Sequence, residues 1–142
     1  MEVTNKNNKG YGTLAEAQVI VRLLAMGFGA SWAIGDNVAW DLISDWKGTV
    51  HRLQVKATGC INRHGVWSLL CAHGRVKKVR YTPTDCSAIV AVLPWGMYVI
   101  PIERLDHLAL TFWPPGEHPR NDSKNFNQCK YEWARERWDF LK

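Results

Sequence analysis

Residues 40–58, which read WDLISDWKGTVHRLQVKAT, constrain the fold more than any other part of the chain. Apolar and polar side chains alternate through residues 41–45 and again through residues 50–58, and the turn-forming letters DWKGT join the two runs. Alternation with a period of two on both sides of a glycine-containing turn predicts two antiparallel strands joined as a hairpin. We therefore expect a domain built around a β-sheet that contains this hairpin.

The hairpin carries polar residues where strands seldom have them. Asp41 begins the first strand, and Gln54 and Lys56 share one face of the second, although aspartate and lysine are depleted in strand interiors. Neighbouring strands lie about 5 Å apart, so these three side chains can converge on one small volume. The polar face of an isolated hairpin usually contacts solvent. For the strands taken alone, solvent exposure is the favoured interpretation.

A helix is predicted over residues 13–26, because Gly12 and Thr13 form a start signal and Gly27 an end signal. The apolar residues in this segment follow helical spacing: Leu14, Val19, Ile20, Leu23 and Leu24. Glu16 lies on the same inward-facing stripe as Ile20 and Leu23. An unpaired buried carboxylate is costly, so Glu16 either has a partner or function inside the domain or lies at the edge of the stripe in water.

The remaining segments predict one central sheet. Strands are expected over residues 28–34, 66–71, 88–93 and 97–102, and a turn over residues 34–37. The run AIVAVL at 88–93 is typical of a strand that is buried on both faces. Residues 113–125 have the composition of a loop, and the aromatic residues of the last segment, 129–142, follow helical spacing. The order of helix, four or five strands and helix indicates an α/β domain (α+β by some schemes) that spans residues 1–142.

The composition narrows the classes of protein that the chain can be. A length of 142 residues with a hydrophobic fraction of 46% suits one domain with a sizeable core and excludes a disordered chain. No apolar run approaches the roughly 20 residues that cross a bilayer, and the polar start carries no signal region. A cytoplasmic protein without a membrane partner is therefore expected. The net charge of +5 favours a polyanionic partner.

The four cysteines are scattered and form no CxxC pair, so we expect reduced, mostly buried thiols. A zinc site is an alternative interpretation of Cys60, Cys71, His64 and His73, but their spacing fits no common zinc pattern.

The acidic helix followed by the polar hairpin resembles the PD-(D/E)XK nuclease superfamily. The pattern consists of Glu16, then WD at 40–41, then QVK at 54–56. Similarity extends over most of the chain, through GTLAEAQVIVRLLAMGF, IGDNVAWDLISDWKG, VRYTPTDCSAIVAV, MYVIPIERL and CKYEWARERWDFL. The branch of group I intron homing endonucleases is the most similar, because glutamine replaces the usual third acid there; archaeal Holliday-junction resolvases are more distant. The resemblance implies a restriction-endonuclease-like core, with a central mixed sheet of four to five strands flanked by helices.

The resemblance also implies metal-dependent hydrolysis of phosphodiester bonds. Asp41 would be the central ligand of Mg²⁺, with Mn²⁺ as a substitute, because such hard cations prefer oxygen ligands. The amide oxygen of Gln54, the carbonyl of Val55 and the carboxylate of Glu16 would complete the set. Lys56 would orient the attacking water or offset charge on the phosphate.

Two departures from the family pattern are visible. Trp40 stands where proline is common, and Gln54 is neutral, so we expect weaker metal affinity than in a site with three acids.

The basic segment HGRVKKVR predicts a surface that follows phosphates. It contains Arg75, Lys77, Lys78 and Arg80, and an ordinary solvated turn is the alternative. Arg63 and His64 follow the hairpin and are predicted to reach DNA near the cut, whereas Arg120 and Lys124 are weaker candidates.

The sequence is compatible with three candidate functions. The first is a homing-type nuclease that cuts both strands of a DNA site, which favours a homo-oligomer (dimer or tetramer) because one domain has one site. The second is a resolvase of branched DNA. The third is an inactive DNA-binding or assembly module. A restriction-type nuclease is a further variant of the first.

Overall fold

The computed structural model describes residues 8–58, 61, 66–117 and 129–142. The described part begins with helix α1, Asn8–Ala25. The strands, in chain order, are β1 Gly29–Trp32, β2 Leu42–Trp46, β3 Thr49–Ala57, β4 Trp67–Leu70, β5 Ala72–His73, β6 Val79–Arg80, β7 Ala88–Leu93, β8 Gly96–Pro101 and β9 Ala109–Phe112. Of the helices in these ranges, none combines the length and apolar character needed to span a bilayer.

The central sheet has five strands in the order β1-β2-β3-β7-β8. Strands β3 and β7 are parallel, whereas the other neighbours are antiparallel. The expected central mixed sheet is therefore confirmed. Strand β3 lies in the middle, so the residues that it carries have a neighbouring strand on each side.

The hairpin of β2 and β3 is confirmed, and its turn explains its register. Lys47 and Gly48 both have positive φ angles, 50° and 91°. Two central residues of this kind form the turn type whose twist matches antiparallel strands. Asp45 Oδ1 also accepts a hydrogen bond from Gly48 N–H at 2.8 Å. The turn thereby pairs Trp46 with Thr49 and Leu42 with Leu53.

Both faces of the sheet are covered. Helix α1 packs on one face through Val19 and Leu23, which contact a buried cluster that includes Leu42, Leu53 and Val90. The ribbon of β4 and β9 contributes to a second cluster on the other face. Every residue of β7 is buried, which confirms the expectation for AIVAVL. Each fully buried aliphatic side chain in such a core contributes about 1.5–3 kcal/mol.

Three predictions about the elements were wrong. Helix α1 begins at Asn8 rather than at residue 13, because Gly10 and Gly12 continue the helix. Strand β9 was not predicted; it pairs with β4, which the sequence pattern of neither segment reveals. The predicted C-terminal helix is replaced by two short 3₁₀ turns, Glu132–Ala134 and Trp138–Leu141.

The C-terminal segment is held by β8 instead of by its own helical hydrogen bonds. Glu136 has a φ angle of 54°, its N–H donates to the Met97 carbonyl at 2.8 Å, and its Oε1 accepts from Met97 N–H at 3.0 Å. Arg135 forms a bridge with Tyr98. These contacts with the sheet outweigh the helical periodicity, so helix α1 is the one long helix of the described part.

Candidate active site

The four predicted catalytic side chains come from α1, from the start of β2 and from β3, which are neighbours in the fold. Glu16 is on α1, Asp41 precedes β2 by one residue, and Gln54 and Lys56 are on β3. Asp41 N–H donates to the Leu53 carbonyl at 2.8 Å, which continues the β2–β3 ladder and places Asp41 beside Gln54. The structure therefore brings together the polar residues of the hairpin.

Asp41 is the most constrained of these side chains. Its Oδ2 accepts a hydrogen bond from Val55 N–H at 2.8 Å and another from the Gln54 amide Nε2. Burial raises the pKa of the Asp41 carboxyl, and the Val55 N–H, the Lys56 charge and the Gln54 amide oppose that rise. A carboxylate that is costly to ionise and fixed in orientation is suited to meet a cation.

Glu16 is half-buried and interacts electrostatically with Asp41. Burial is the main cause that raises the pKa of Glu16, repulsion from Asp41 adds to it, and a hydrogen bond from Trp32 lowers it. The sequence left Glu16 either solvated or functional. The structure places it near Asp41 with its carboxylate bonded to an indole, which agrees with a position at the edge of the helix stripe that still reaches the site.

Lys56 carries a positive charge that acts on the Asp41 carboxyl. Its ammonium Nζ lies 5.2 Å from the centre of the Tyr81 ring, and Tyr81 is buried. An aromatic face attracts a cation at this distance. Burial raises the pKa of the neighbouring thiols Cys71 and Cys86 to about 12, while the Lys56 charge acts in the opposite direction. Cys71, Cys86 and Cys129 are free and buried, as expected, and Cys60 lies outside the described residues.

The donor set fits a hard divalent cation. Gln54 Nε2 donates to Asp41 Oδ2 and also approaches the Val55 carbonyl oxygen at 3.4 Å. The amide N–H₂ thus bridges two oxygens that were predicted as metal ligands. Turning the amide about its last torsion would present Oε1 in its place, and oxygens of these kinds are the ligands that Mg²⁺ and Mn²⁺ accept.

No group of three or more His, Cys, Asp or Glu side chains in the described ranges is arranged to hold a metal. A site with two carboxylates completed by an amide and a backbone carbonyl agrees with that finding. Two members of the alternative zinc set, Cys60 and His64, lie outside the described residues.

Two residues beside the site were not predicted from the sequence. Trp32 Nε1 donates to Glu16 Oε2 at 3.1 Å, and Tyr81 lies against Lys56. Trp32 was part of a predicted strand and Tyr81 followed a predicted basic connection. Neither position carries a local signal, because both roles depend on contacts between distant segments.

The basic segment forms an exposed ribbon of β5 and β6, here called the basic ribbon. The residues predicted to follow phosphates are exposed on it or in its turn: Arg75, Lys77, Lys78 and Arg80. Lys78 Nζ donates to the Gly74 carbonyl at 2.8 Å, and Gly74 has a φ angle of 97° in a turn where a Cβ atom would lie 2.3 Å from the Lys77 carbonyl oxygen. The ribbon turn therefore requires glycine.

The base of the basic ribbon adjoins the site. Tyr81 directly follows β6, and its ring lies 5.1 Å from the ring of His73 on β5 and 5.2 Å from Lys56 Nζ. The exposed cations and Lys56 are thus connected through one buried aromatic residue. The other predicted DNA contacts lie outside the described residues: Arg63, His64, Arg120 and Lys124.

This chain is similar to known proteins both in its sequence family and in its fold. A family model described as PD-(D/E)XK endonuclease matches residues 6–128. The solved structure of a bacterial homing endonuclease, I-Ssp6803I, superposes with a TM-score of 0.78 over 94% of this chain and 92% of that chain, at 22% sequence identity. At this identity, the similarity shows that the fold is shared. No curated protein is detectably similar to this chain in sequence.

Proposed function

Because this chain belongs to the PD-(D/E)XK endonuclease family, we propose that it is a metal-dependent endonuclease that hydrolyses phosphodiester bonds in DNA. The observation that carries the proposal is the convergence of Glu16, Asp41, Gln54 and Lys56 beside the middle strand of the sheet. We further propose a homing-type enzyme that cuts both strands at a specific site. The fold shared with a bacterial homing endonuclease supports this choice.

The site residues divide into those that hold an ion and one that meets the substrate. Asp41, Glu16, the Gln54 amide oxygen and the Val55 carbonyl would hold Mg²⁺ or Mn²⁺. When bound, such an ion supplies a more acidic water and offsets charge on the phosphate. Asp41 is the central ligand in this assignment, because its hydrogen bonds with Val55 and Gln54 fix the direction of its carboxylate.

Lys56 supplies a positive charge beside Asp41. Lysine is a compact cation with three donors, so it can contact a phosphate oxygen and orient a water molecule at once. Its contact with Tyr81 limits where the ammonium can move. A charge that is already in place costs no reorganisation when the pentacoordinate phosphate forms.

The basic ribbon is proposed to bind the phosphates of the DNA backbone, with Arg63 and His64 as further contacts. Exposed lysine and arginine side chains bind DNA with little sequence preference, and their contribution falls as salt rises. Tyr81 contacts both His73 of the ribbon and Lys56 of the site. Backbone phosphates bound on the ribbon would therefore be close to the phosphate that is cleaved.

Cleavage of both strands requires two sites, and the described residues of one chain form one candidate site. We propose a symmetric homo-oligomer, a dimer or tetramer, as the simplest assembly that provides them. Sedimentation of the protein with and without duplex DNA tests this part of the proposal independently of cleavage.

The experiment for the proposed type compares substrates. The protein is incubated with Mg²⁺ and either long linear duplexes or synthetic four-way junctions, and Lys56→Ala and Lys56→Arg are run beside it. Site-specific double-strand cuts in linear duplex, lost in Lys56→Ala and reduced in Lys56→Arg, are expected. Selective cutting of junctions would instead establish a resolvase. Binding without any cutting would establish an inactive module.

A further inference from the structure

Trp32 connects the two carboxylates of the site, although they belong to different elements. Its indole Nε1 donates to Glu16 Oε2 on α1 at 3.1 Å. Its backbone pairs with Leu42 in the ladder between β1 and β2. The next residue, Ala33, donates its N–H to the Asp41 carbonyl at 2.8 Å. The indole that holds Glu16 is therefore built on the same strand pair that holds Asp41.

Glu16 needs such a contact to stay near Asp41. Like charges repel at short range in a partly buried site, and a half-buried glutamate on a helix has rotamers that place its carboxylate in water. Arg22, the other charged residue on the following turns of α1, is paired with Glu136 at 3.5 Å and does not contact Glu16 in the structure. The indole N–H is the hydrogen-bond donor that the structure gives to Glu16.

The exposure of Trp32 is consistent with a role at the site. The residue is 49% exposed on the outermost strand of the sheet. Tryptophan buries more apolar surface than any other residue type when a core position is available. At this position the ring is only partly buried, and its N–H donates a hydrogen bond to a carboxylate instead of to water.

We propose that Trp32 is a positioning residue that holds the Glu16 carboxylate toward Asp41 and thereby sets the affinity of the site for a divalent cation. This inference rests on the proposed function of the same site. It assigns Trp32 no contact with the reacting atoms. Its effect passes through Glu16 alone, so it should vanish when Glu16 can no longer act as a charged ligand.

The test is a double-mutant cycle read by metal binding. Mn²⁺ affinity is measured by calorimetry, without DNA, for the wild type, Trp32→Phe, Glu16→Gln and the double variant. Half-saturating Mg²⁺ for cleavage and thermal melts without metal are measured beside it. The matched control is Trp95→Phe, which also removes an indole N–H donor, but one bonded to the Tyr98 hydroxyl at 2.9 Å.

Trp32→Phe should weaken Mn²⁺ binding about tenfold. This is the usual cost of losing a hydrogen bond to a charged group that is partly exposed. In the Glu16→Gln background, the same change should alter binding less than twofold. Trp95→Phe should bind Mn²⁺ as the wild type does. Trp32→His, which keeps a ring N–H, serves as the second variant and should recover part of the affinity.

Two results overturn the inference: wild-type Mn²⁺ affinity in Trp32→Phe, or an equal loss with and without Glu16. If the wild type binds Mn²⁺ but cuts no DNA, the proposed function fails, while the cycle still decides the role of Trp32. If the wild type cuts DNA and Trp32→Phe binds Mn²⁺ normally, the role of Trp32 alone fails. A wild type that binds no Mn²⁺ contradicts both.

Discussion

Replacing Gln54 with glutamate tests why the site carries a neutral residue beside Asp41. The Gln54 amide donates a hydrogen bond to Asp41 Oδ2, so it offsets the charge of a partly buried carboxylate. Glutamate has nearly the same shape but brings a second negative charge to that contact. We expect Gln54→Glu to destabilise the metal-free protein and to bind divalent ions more tightly.

The size of the loss follows from the geometry. Two carboxylates about 4 Å apart repel by about 4 kcal/mol at an effective dielectric constant of 20. At pH 7 the two carboxylates can instead share one bound proton. The free-energy cost of binding that proton is about as large as the repulsion, since each unit of pKa shift corresponds to about 1.4 kcal/mol. For a domain of this size, that loss lowers Tm by roughly 10 °C.

The dependence on pH has a defined sign. The pKa of Asp41 is already raised by burial, and a second acid raises it further. In the interval between the ordinary and the raised pKa, the folded variant binds more protons than the unfolded chain, so its stability rises as pH falls. The difference from the wild type should therefore shrink between pH 7 and pH 5.

Thermal melts at pH 7 and pH 5, with and without Mg²⁺, measure these effects. Mg²⁺ should raise Tm more in Gln54→Glu than in the wild type, because a ligand that binds only the folded state stabilises it according to its affinity. Gln54→Met is the matched control, since it loses the hydrogen bond without adding a charge, and it should show neither the added pH dependence between pH 7 and pH 5 nor the added Mg²⁺ stabilisation of Gln54→Glu. A Gln54→Glu protein that melts like the wild type at pH 7 would show that the neutral Gln54 does not relieve repulsion at Asp41.

Three further predictions concern other residues of the fold and the site. Asp41→Asn should lack cleavage activity, yet at pH 7 its stability should equal that of the metal-free wild type or exceed it by about 1 kcal/mol. In the wild type, the raised pKa of Asp41 makes stability fall as pH rises above about 3.8, and Asp41→Asn should lose this fall. Urea denaturation across pH 4–7 measures both the stability and its pH dependence. Ser44→Ala should stabilise the protein by about 1 kcal/mol, because Ser44 Oγ is buried without a hydrogen-bond partner among the described residues; a loss of stability in urea denaturation would contradict this. Tyr81→Leu removes the ring beside Lys56, so it should lower kcat roughly tenfold, as for the loss of a desolvated contact worth about 1–2 kcal/mol. The effect on KM for DNA should be smaller. Steady-state kinetics at saturating Mg²⁺ measure both constants, and a change in KM alone would contradict this prediction.

The parts of the fold that the sequence predicts well are those with local signals. The β2–β3 hairpin follows from a period of two and from a glycine turn, in which the structure gives Lys47 and Gly48 positive φ angles. Strand β7 follows from a continuous apolar run, because a strand covered on both faces has no polar side to show. The convergence of Asp41 with Gln54 follows from the pairing of these strands.

The parts that the sequence does not predict depend on contacts between distant segments. The C-terminal residues have helical spacing, but Glu136 bonds to Met97 of β8 and prevents a continuous helix. The same cause hides the neighbours of the site. Trp32 and Glu16 are 16 residues apart, and no pattern in either segment indicates that they are bonded. The catalytic and metal-binding roles of Glu16, Asp41, Gln54 and Lys56 stay predictions.

Metal-dependent cleavage at Asp41 is tested most directly by a plasmid-nicking assay with Mg²⁺ that compares the wild type with Asp41→Ala. Asp41 is the residue on which the hydrogen bonds of the site converge. The expected result is that the wild type converts supercoiled plasmid to nicked or linear forms only when Mg²⁺ or Mn²⁺ is present, and that Asp41→Ala is folded but inactive. Cleavage by Asp41→Ala at the wild-type rate, or wild-type cleavage that persists in excess chelator, would contradict it.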